Sequence, residues 1–230
     1  MGWREIWCKE KEFTLQDNTD KTVYLELKRL NGFDILEGAM TYESFLYQHK
    51  QVLSILNKTE AKSVFEVGCG SGANLLLFSQ DGFKCGGLDY SPNLLKIAED
   101  YVKLQESQLG EALALNTEEK YDLLYSNSVF SYFPNLEYAS EVLEKMYEKS
   151  NKCIVLLDLH DKNYEEAYHN YRRINIENYD EVYKGLDKLF YEKRFFELFA
   201  NQHDLNIEFT KSDVPGYWNN DFVFNCYMYK

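Results

Sequence analysis

The sequence predicts an α/β fold: a three-layer sandwich with a mostly parallel sheet between helices, preceded by a helical cap. Three observations carry this. Strand-like and helix-like segments alternate through residues 62–157, as parallel strands joined by crossover helices require. Residues 153–157, Cys-Ile-Val-Leu-Leu, form a continuous apolar run, as expected of a strand buried on both faces. A glycine-rich turn, Gly68-Cys69-Gly70-Ser71-Gly72, joins the first strand of this stretch to its first helix.

The elements follow in order. Residues 1–60 read as helical: 22–30 hold good helix formers and end at Asn31-Gly32, a plausible C-terminal cap. Residues 41–57 place Phe45, Leu46, Val52, Leu53 and Leu56 near one helical face. Residues 63–67 read as a strand, 74–78 as an apolar helix segment and 85–88 as a second strand. Ser91-Pro92 opens a helix, with Ser as N-cap and Pro in the first turn. That helix carries Leu94, Ile97, Ala98, Tyr101 and Leu104 at helical spacing. Residues 109–113 read as a weak strand and 121–125 as a stronger one. Asn135 caps a helix that runs to Lys149. The stretch 164–191 is aromatic and polar, with Tyr164, Tyr168 and Tyr171 at i, i+4, i+7. Residues 195–200 read as helix. Residues 205–209 and 222–229 read as two strands around Pro215-Gly216, pairing antiparallel at one sheet edge. The chain divides into a helical cap (1–60) and a main domain (61–230) with a lid insert at about 160–192.

Charge and composition narrow the function. Thirty-eight acidic residues against 25 basic ones give a net charge of −13. Such a surface repels phosphate backbones, and no Lys/Arg run builds a basic groove, so no nucleic-acid partner is expected. The cysteines number five, widely spaced and without a C-x-x-C pair. They read as reduced thiols with no zinc site. No apolar run approaches a membrane span, and the N-terminus lacks an apolar signal segment. A cytoplasmic protein without membrane association is expected; the oligomeric state is not readable.

The glycine turn is the most informative segment. Three glycines let the backbone turn tightly and approach a ligand. The helix behind them is expected to offer free N–H groups. Asp89 ends the second strand, where nucleotide-binding folds place a carboxylate for ribose hydroxyls. Gly68-x-Gly70-x-x-Ala73 also satisfies the dinucleotide fingerprint, so an NAD-dependent oxidoreductase stays open. Glu66 before the first glycine and Gly72 at the wrong spacing argue against it.

Glu66-Val67-Gly68-Cys69-Gly70-Ser71-Gly72 resembles the first motif of the class I S-adenosylmethionine-dependent methyltransferases. Leu88-Asp89-Tyr90-Ser91 resembles their second motif, and Gly110-Glu111-Ala112 their third, with Glu in place of the usual Asp. Residues 121–130 are similar to the fourth strand and the segment facing the methyl group. The resemblance spans roughly residues 62–160. It implies a Rossmann-like sheet of seven strands, only the last antiparallel. It also implies S-adenosylmethionine as cofactor, S-adenosylhomocysteine as product, and direct in-line methyl transfer; the charge, the chain length and a missing motif taken up below point to a small-molecule acceptor with an oxygen or nitrogen nucleophile. Its site residues would be Glu66, Gly68, Cys69, Gly70, Gly72, Asp89, Tyr90, Ser91, Glu111, Ala112, Ser126 and Asn127. Glu66 would order the loop, Asp89 take the ribose, Tyr90 lie against the adenine, Glu111 and Ala112 meet its edge, and Ser126 and Asn127 lie near the methionine part.

Transfer from a sulfonium needs positioning and exclusion of water more than covalent help. An oxygen nucleophile would need a base. His160, just past the fifth strand, is the first candidate, with Tyr132 and His169 behind it. A loop histidine without chemistry is the plainer reading of His160. Cys69 reads as a small buried filler. Asp158, His160 and Asp161 could suggest a metal, but Ser126-Asn127 stands where metal-dependent relatives carry an acid, so none is expected. The tyrosine stripe reads as core or as a cavity wall. Trp3 and Trp7 read as a cap on the site or as anchors of a terminal helix. The absence of an Asn-Pro-Pro-aromatic motif after the fourth strand weighs against DNA or protein-glutamine targets. A methyltransferase-like binding protein that has lost turnover is the third reading.

Overall fold

Thr19, Thr41, Ser91 and Asn135 each stand just before a helix, and each side chain accepts a backbone N–H of the first turn. This satisfies donors that the helix itself leaves unpaired. The computed structural model describes residues 2–15, 17–32 and 40–230. The cap contains α1 (Trp3–Trp7), α2 (Asp20–Leu30) and α3 (Tyr42–Leu56). Residues 33–39 of the expected cap lie outside the described residues. Then follow β1 (Ser63–Val67), α4 (Ala73–Gln80), β2 (Lys84–Asp89), α5 (Pro92–Tyr101), β3 (Leu104–Leu109), β4 (Tyr121–Asn127), α6 (Leu136–Lys149) and β5 (Ser150–His160). The chain ends with α7 (Glu165–Asn175), the short α8 (Tyr179–Val182), α9 (Lys193–Gln202), β6 (Asn206–Lys211) and β7 (Val223–Tyr229).

One seven-stranded sheet has the order β3-β2-β1-β4-β5-β7-β6. The first five strands are parallel, and β7 runs antiparallel to both β5 and β6. Strand order reverses beside β1, which pairs with β2 on one side and β4 on the other. Ligands of open α/β sheets bind at such a switch point, outside the carboxyl ends of the strands.

Strand alternation feeds two cores. Val64, Leu123 and Val155 pack with Leu75 and Phe78 of α4 on one face. Phe65, Leu124 and Ile154 pack with Leu143 and Met146 of α6 and Phe196 of α9 on the other. The cap is joined to the sheet domain: Tyr24, Leu27, Leu30 and Phe45 share a cluster with Ala73 and Leu77 of α4 and Leu94 and Ile97 of α5. None of the described helices is long and apolar enough to cross a membrane.

The structure differs from the sequence reading in four places. The third strand is Leu104–Leu109, not 109–113, and α5 stops at Tyr101. This strand alternates half-buried and exposed residues at the sheet edge, so it lacks the apolar signal of its neighbours. Residues 112–114 form a 3-10 turn instead. The fifth strand runs on to His160, which pairs with Val223 of β7. In the insert, Tyr168 and Tyr171 lie on α7, while Tyr164 precedes that helix and is 47% exposed.

Candidate cofactor site

The loop after β1 needs glycine for two separate reasons. Gly68 and Gly70 have φ of +75° and +54°, in the left-handed region. A Cβ on Gly68 would also lie 2.5 Å from a methyl of Val129, and one on Gly70 would strike the Asn31 side chain. The loop is tied to β2 from both ends of its turn. Gly68 and Cys69 donate their N–H groups to the carbonyl of Leu88 at 2.8 and 3.0 Å. Asp89 Oδ2 accepts the Gly70 N–H at 2.7 Å, and Oδ1 accepts that of Ser91 at 2.8 Å. Burial raises the Asp89 carboxyl above the usual range, against the lowering effect of those two amides. A carboxylate with one bond per oxygen keeps lone pairs for further hydroxyl donors.

Two loop amides just ahead of α4 are already engaged. Ser71 donates its N–H to Asn31 Oδ1 at 2.7 Å and its hydroxyl to the Leu27 carbonyl at 2.7 Å. The Gly72 N–H goes to the carbonyl of Cys69 at 2.9 Å. The end of α2 therefore caps the loop from above.

Glu66 lies beneath the loop, 1% exposed. Asn74 Nδ2 of α4 donates to Glu66 Oε1 at 2.7 Å, and Lys28 Nζ of α2 donates to Asn74 Oδ1 at 2.8 Å. Glu66 Oε2 is buried and, among the described residues, has no hydrogen-bond partner. Burial pushes the Glu66 carboxyl up to about 8 and draws the Lys28 ammonium down. Each group sits near the other, with too little solvent for either charge.

Helix α1 crosses the rim. Arg4 pairs with Glu111 at 3.1 Å, the Cys8 thiol faces the Tyr90 carbonyl at 3.9 Å, and Trp3 and Trp7 meet the Tyr132 ring edge-on at 4.8 and 5.8 Å. Lys188, from the insert, lies over the Tyr132 ring at 3.4 Å. The two tryptophans thus anchor the terminal helix across the ends of β2, β3 and β4. Ala112 is buried beside the partly exposed Glu111.

At the ends of β4 and β5 the backbone is strained. Ser128 and Asp158 have φ of +59° and +62°, costly for residues with a Cβ. Asp158 lies where the β5–β7 register shifts, a bulge that re-aims its side chain. Its Oδ2 accepts the Ser128 hydroxyl at 2.6 Å, and its Oδ1 accepts Tyr217 Oη at 2.7 Å and Asn219 Nδ2 at 3.2 Å. Ser126 spends its hydroxyl on the Val67 carbonyl at 2.9 Å, while Asn127 Oδ1 lies 3.1 Å from Ser128 Oγ, whose one proton has the shorter bond to Asp158.

The base candidates fall elsewhere. His160 is 3% exposed, edge-on to Tyr168 and Phe190 at 5.0 and 5.2 Å, and burial holds it well below its ordinary range. Its Nε2 lies 3.5 Å from Asn219 Nδ2. It is therefore a strand residue in an aromatic box, not the loop residue expected. His169 Nδ1 lies 3.1 Å from the Tyr179 hydroxyl. Cys69 is buried and its thiol is pushed far up, as suits a filler. No group of three His, Cys, Asp or Glu side chains among the described residues is placed to hold a metal.

Sequence reasoning missed Lys28, Asn31, Asn74, Tyr217 and Asn219. Asn74 stood at a helix start beside the glycine turn, a signal that pointed to it. Lys28 and Asn31 carried none, because their role arises only when α2 folds back onto the loop.

Comparison with known proteins agrees with this geometry. Residues 65–151 match the family model described as a methyltransferase domain. A protein named "Probable S-adenosyl-L-methionine-dependent methyltransferase TehB", from Haemophilus influenzae, is 27% identical over 107 residues, covering 45% of this chain and 37% of that protein. A nonribosomal peptide synthetase of Metarhizium robertsii is 28% identical over 116 residues, 46% of this chain and 2% of that protein. The chain thus spans about a third or less of the length of these curated relatives. Among solved structures, the magnesium protoporphyrin IX methyltransferase of Synechocystis with bound S-adenosylhomocysteine superposes with a TM-score of 0.62 at 13% identity, covering 99% of this chain and 92% of that one. The plantazolicin methyltransferase BpumL, in complex with a pentazolic desmethyl analogue and S-adenosylhomocysteine, gives 0.63 at 14% identity, covering 93% and 91%. The fit of the residues to the cofactor is independent of these matches: a loop too close to its neighbours for any Cβ, an acid tied to it, and an orphaned buried carboxylate oxygen. Motif order and the match over residues 65–151 make this chain similar to the class I S-adenosylmethionine-dependent methyltransferases, and its sheet has the fold of the solved methyltransferases.

Proposed function

We infer that the protein transfers the methyl group of S-adenosylmethionine to an oxygen or nitrogen of a small molecule. The observation that carries this is the bond between Asp89 and Gly70, which locks the ribose-binding acid to the glycine loop. The bound cofactor supplies an electrophilic methyl on a sulfonium, so the protein's task is to hold the partners in line and dry. Gly68, Gly70 and Gly72 would carry the backbone beside the methionine and ribose parts, and Asp89 the ribose. Tyr90, Glu111 and Ala112 would line the adenine side under α1. Ser126 and Asn127 would border the methionine end.

The acceptor would lie over the ends of β4 and β5, between the cap and the insert. For the group that meets it, the geometry favours Asp158 over His160: Asp158 is held by Ser128 and Tyr217 at the strand ends, whereas His160 is enclosed by Tyr168 and Phe190. The net charge of −13 supports a non-nucleic-acid acceptor. The solved neighbours named for a porphyrin and for plantazolicin support an organic molecule or peptide-derived one.

The test is transfer of a labelled methyl group to a panel of phenols, carboxylic acids and amines. Label recovered in a small-molecule product supports the reading. Cofactor binding with no transfer to any member would favour a binding protein without turnover.

A further inference from the structure

Residues 3–14 run as a strap along the carboxyl edge of the sheet. Trp3 Nε1 donates to the Asp187 carbonyl of the insert at 2.9 Å. Arg4 meets Glu111 after β3, Trp7 meets Tyr132 after β4, and Cys8 faces Tyr90 after β2. Lys11 donates its N–H to Asn93 Oδ1 at 3.1 Å, and Phe13 lies 4.1 Å from the Tyr101 ring, both partners being on α5.

The two ends of the strap are held differently. At its root, Thr14 donates its N–H and its hydroxyl to Glu26 Oε1 of α2 at 2.8 and 3.2 Å. Arg29 grips both oxygens of that carboxylate at 2.7 and 2.8 Å and donates to the Glu12 carbonyl at 2.9 Å. At its tip, α1 has five residues, none of them buried, and a helix so short does not persist on its own. The Arg4–Glu111 pair is exposed on both sides and contributes little. The rings at the tip form a junction with the insert: Trp3 and Trp7 stand edge-on to Tyr132, and Lys188 lies over Trp3 at 4.8 Å and over Tyr132 at 3.4 Å. The insert is stitched to the same turn, with Leu189 donating its N–H to the Ser131 carbonyl and Tyr191 Oη donating to that of Phe130, both at 2.8 Å.

We propose that residues 3–13 gate cofactor exchange, hinged at Thr14–Glu26 and latched to the insert at the Trp3–Tyr132–Lys188 junction. The proposal rests on the cofactor reading above, since the strap crosses Tyr90 and Glu111, the residues assigned to the adenine side. An element with little buried contact opens at lower free energy than the body it covers. A gate that does not itself grip the ligand scales entry and exit by the same factor and leaves affinity nearly unchanged. Because the latch is shared with the insert, an acceptor that orders the insert would hold the gate shut. S-adenosylhomocysteine would then leave last.

Cys8 reports the opening, being half-buried on the strap while the other four cysteines are buried. Alkylation of Cys8, and release of labelled S-adenosylhomocysteine into an unlabelled chase, are compared in wild type, Trp3→Ala and Lys188→Ala. Calorimetry gives the affinity of each. Trp3→Ala breaks the latch from the strap and Lys188→Ala from the insert, so each tests it independently. Both are expected to speed alkylation and release at least fivefold and to keep affinity within threefold of wild type, which also shows that they are folded. Unchanged alkylation, unchanged release, or faster release with affinity weakened in proportion overturns the gate and leaves the cofactor reading intact. Failure of wild type to bind S-adenosylhomocysteine overturns both.

Discussion

Asp89 Oδ2 accepts the Gly70 N–H at 2.7 Å, so one carboxylate both ends β2 and fixes the turn after β1. Its other oxygen holds the Ser91 N–H at 2.8 Å, at the start of α5. Replacing Asp89 with Ala leaves two amides without acceptors, at a cost of about 1–3 kcal/mol each where no water reaches them. The expected result is a clear fall in melting temperature and a loss of at least tenfold in S-adenosylhomocysteine affinity. Wild-type affinity in Asp89→Ala would show that the acid serves the loop alone.

Glu66 sets function against stability. Its carboxyl is held at about 8 in the folded chain, chiefly by burial, against about 4.5 when unfolded. Between those values the folded state binds more protons than the unfolded one. Stability from this group is therefore full below the unfolded value and falls as pH rises through the folded one. Glu66→Gln is expected to flatten that fall, melting higher than wild type at pH 7 to 8 without ligand. It should bind S-adenosylhomocysteine more weakly. Parallel melting curves for the two proteins from pH 5 to 8 would refute the assignment.

Lys149 holds the far side of the sheet. It is fully buried, pairs with Glu106 at 2.9 Å, and donates to the carbonyls of Asn116 and Glu119 at 2.9 and 2.8 Å. Glu106 is 19% exposed, so water screens the charge left behind, and the loss falls mainly on the two carbonyls that lose their donor, about 1–3 kcal/mol. Lys149→Ala should lose stability of that order in denaturant unfolding, and S-adenosylhomocysteine affinity measured where the variant stays folded should not change. A cost under about 1 kcal/mol, the range of exposed pairs, would contradict the burial argument.

A change at Asp158 would distinguish a role toward the acceptor from one toward the cofactor. Asn at this position offers one oxygen where Ser128 and Tyr217 each donate to a separate carboxylate oxygen. Asp158→Asn should therefore destabilise the chain by about 1–3 kcal/mol. It should bind S-adenosylhomocysteine normally and lose methyl transfer to any acceptor that wild type uses. Retained transfer would confine Asp158 to tying β4, β5 and the loop before β7 together.

The sequence was most legible where a local signal and a tertiary role coincide. Ser63–Val67 was readable to the residue because apolar β-formers end at glycines, and Leu136–Lys149 because Asn135 caps it. The strand β3 was misplaced because its edge position leaves it polar. The place of Asp89, at the end of β2 beside the glycine loop, was legible from spacing alone. Lys28 was not, since 38 positions separate it from Glu66 and nothing local marks a lysine that turns inward. His160 looked like a loop residue because the apolar run breaks at Asp158, where the strand bulges and then continues.

The central claim is that the loop, Asp89 and Glu66 form one site for S-adenosylmethionine. Calorimetric titration of the wild-type chain with S-adenosylhomocysteine tests it most directly. Saturable one-to-one binding at micromolar concentration, weakened at least tenfold by Asp89→Ala, is the expected result. No binding by folded protein at millimolar S-adenosylhomocysteine would contradict it.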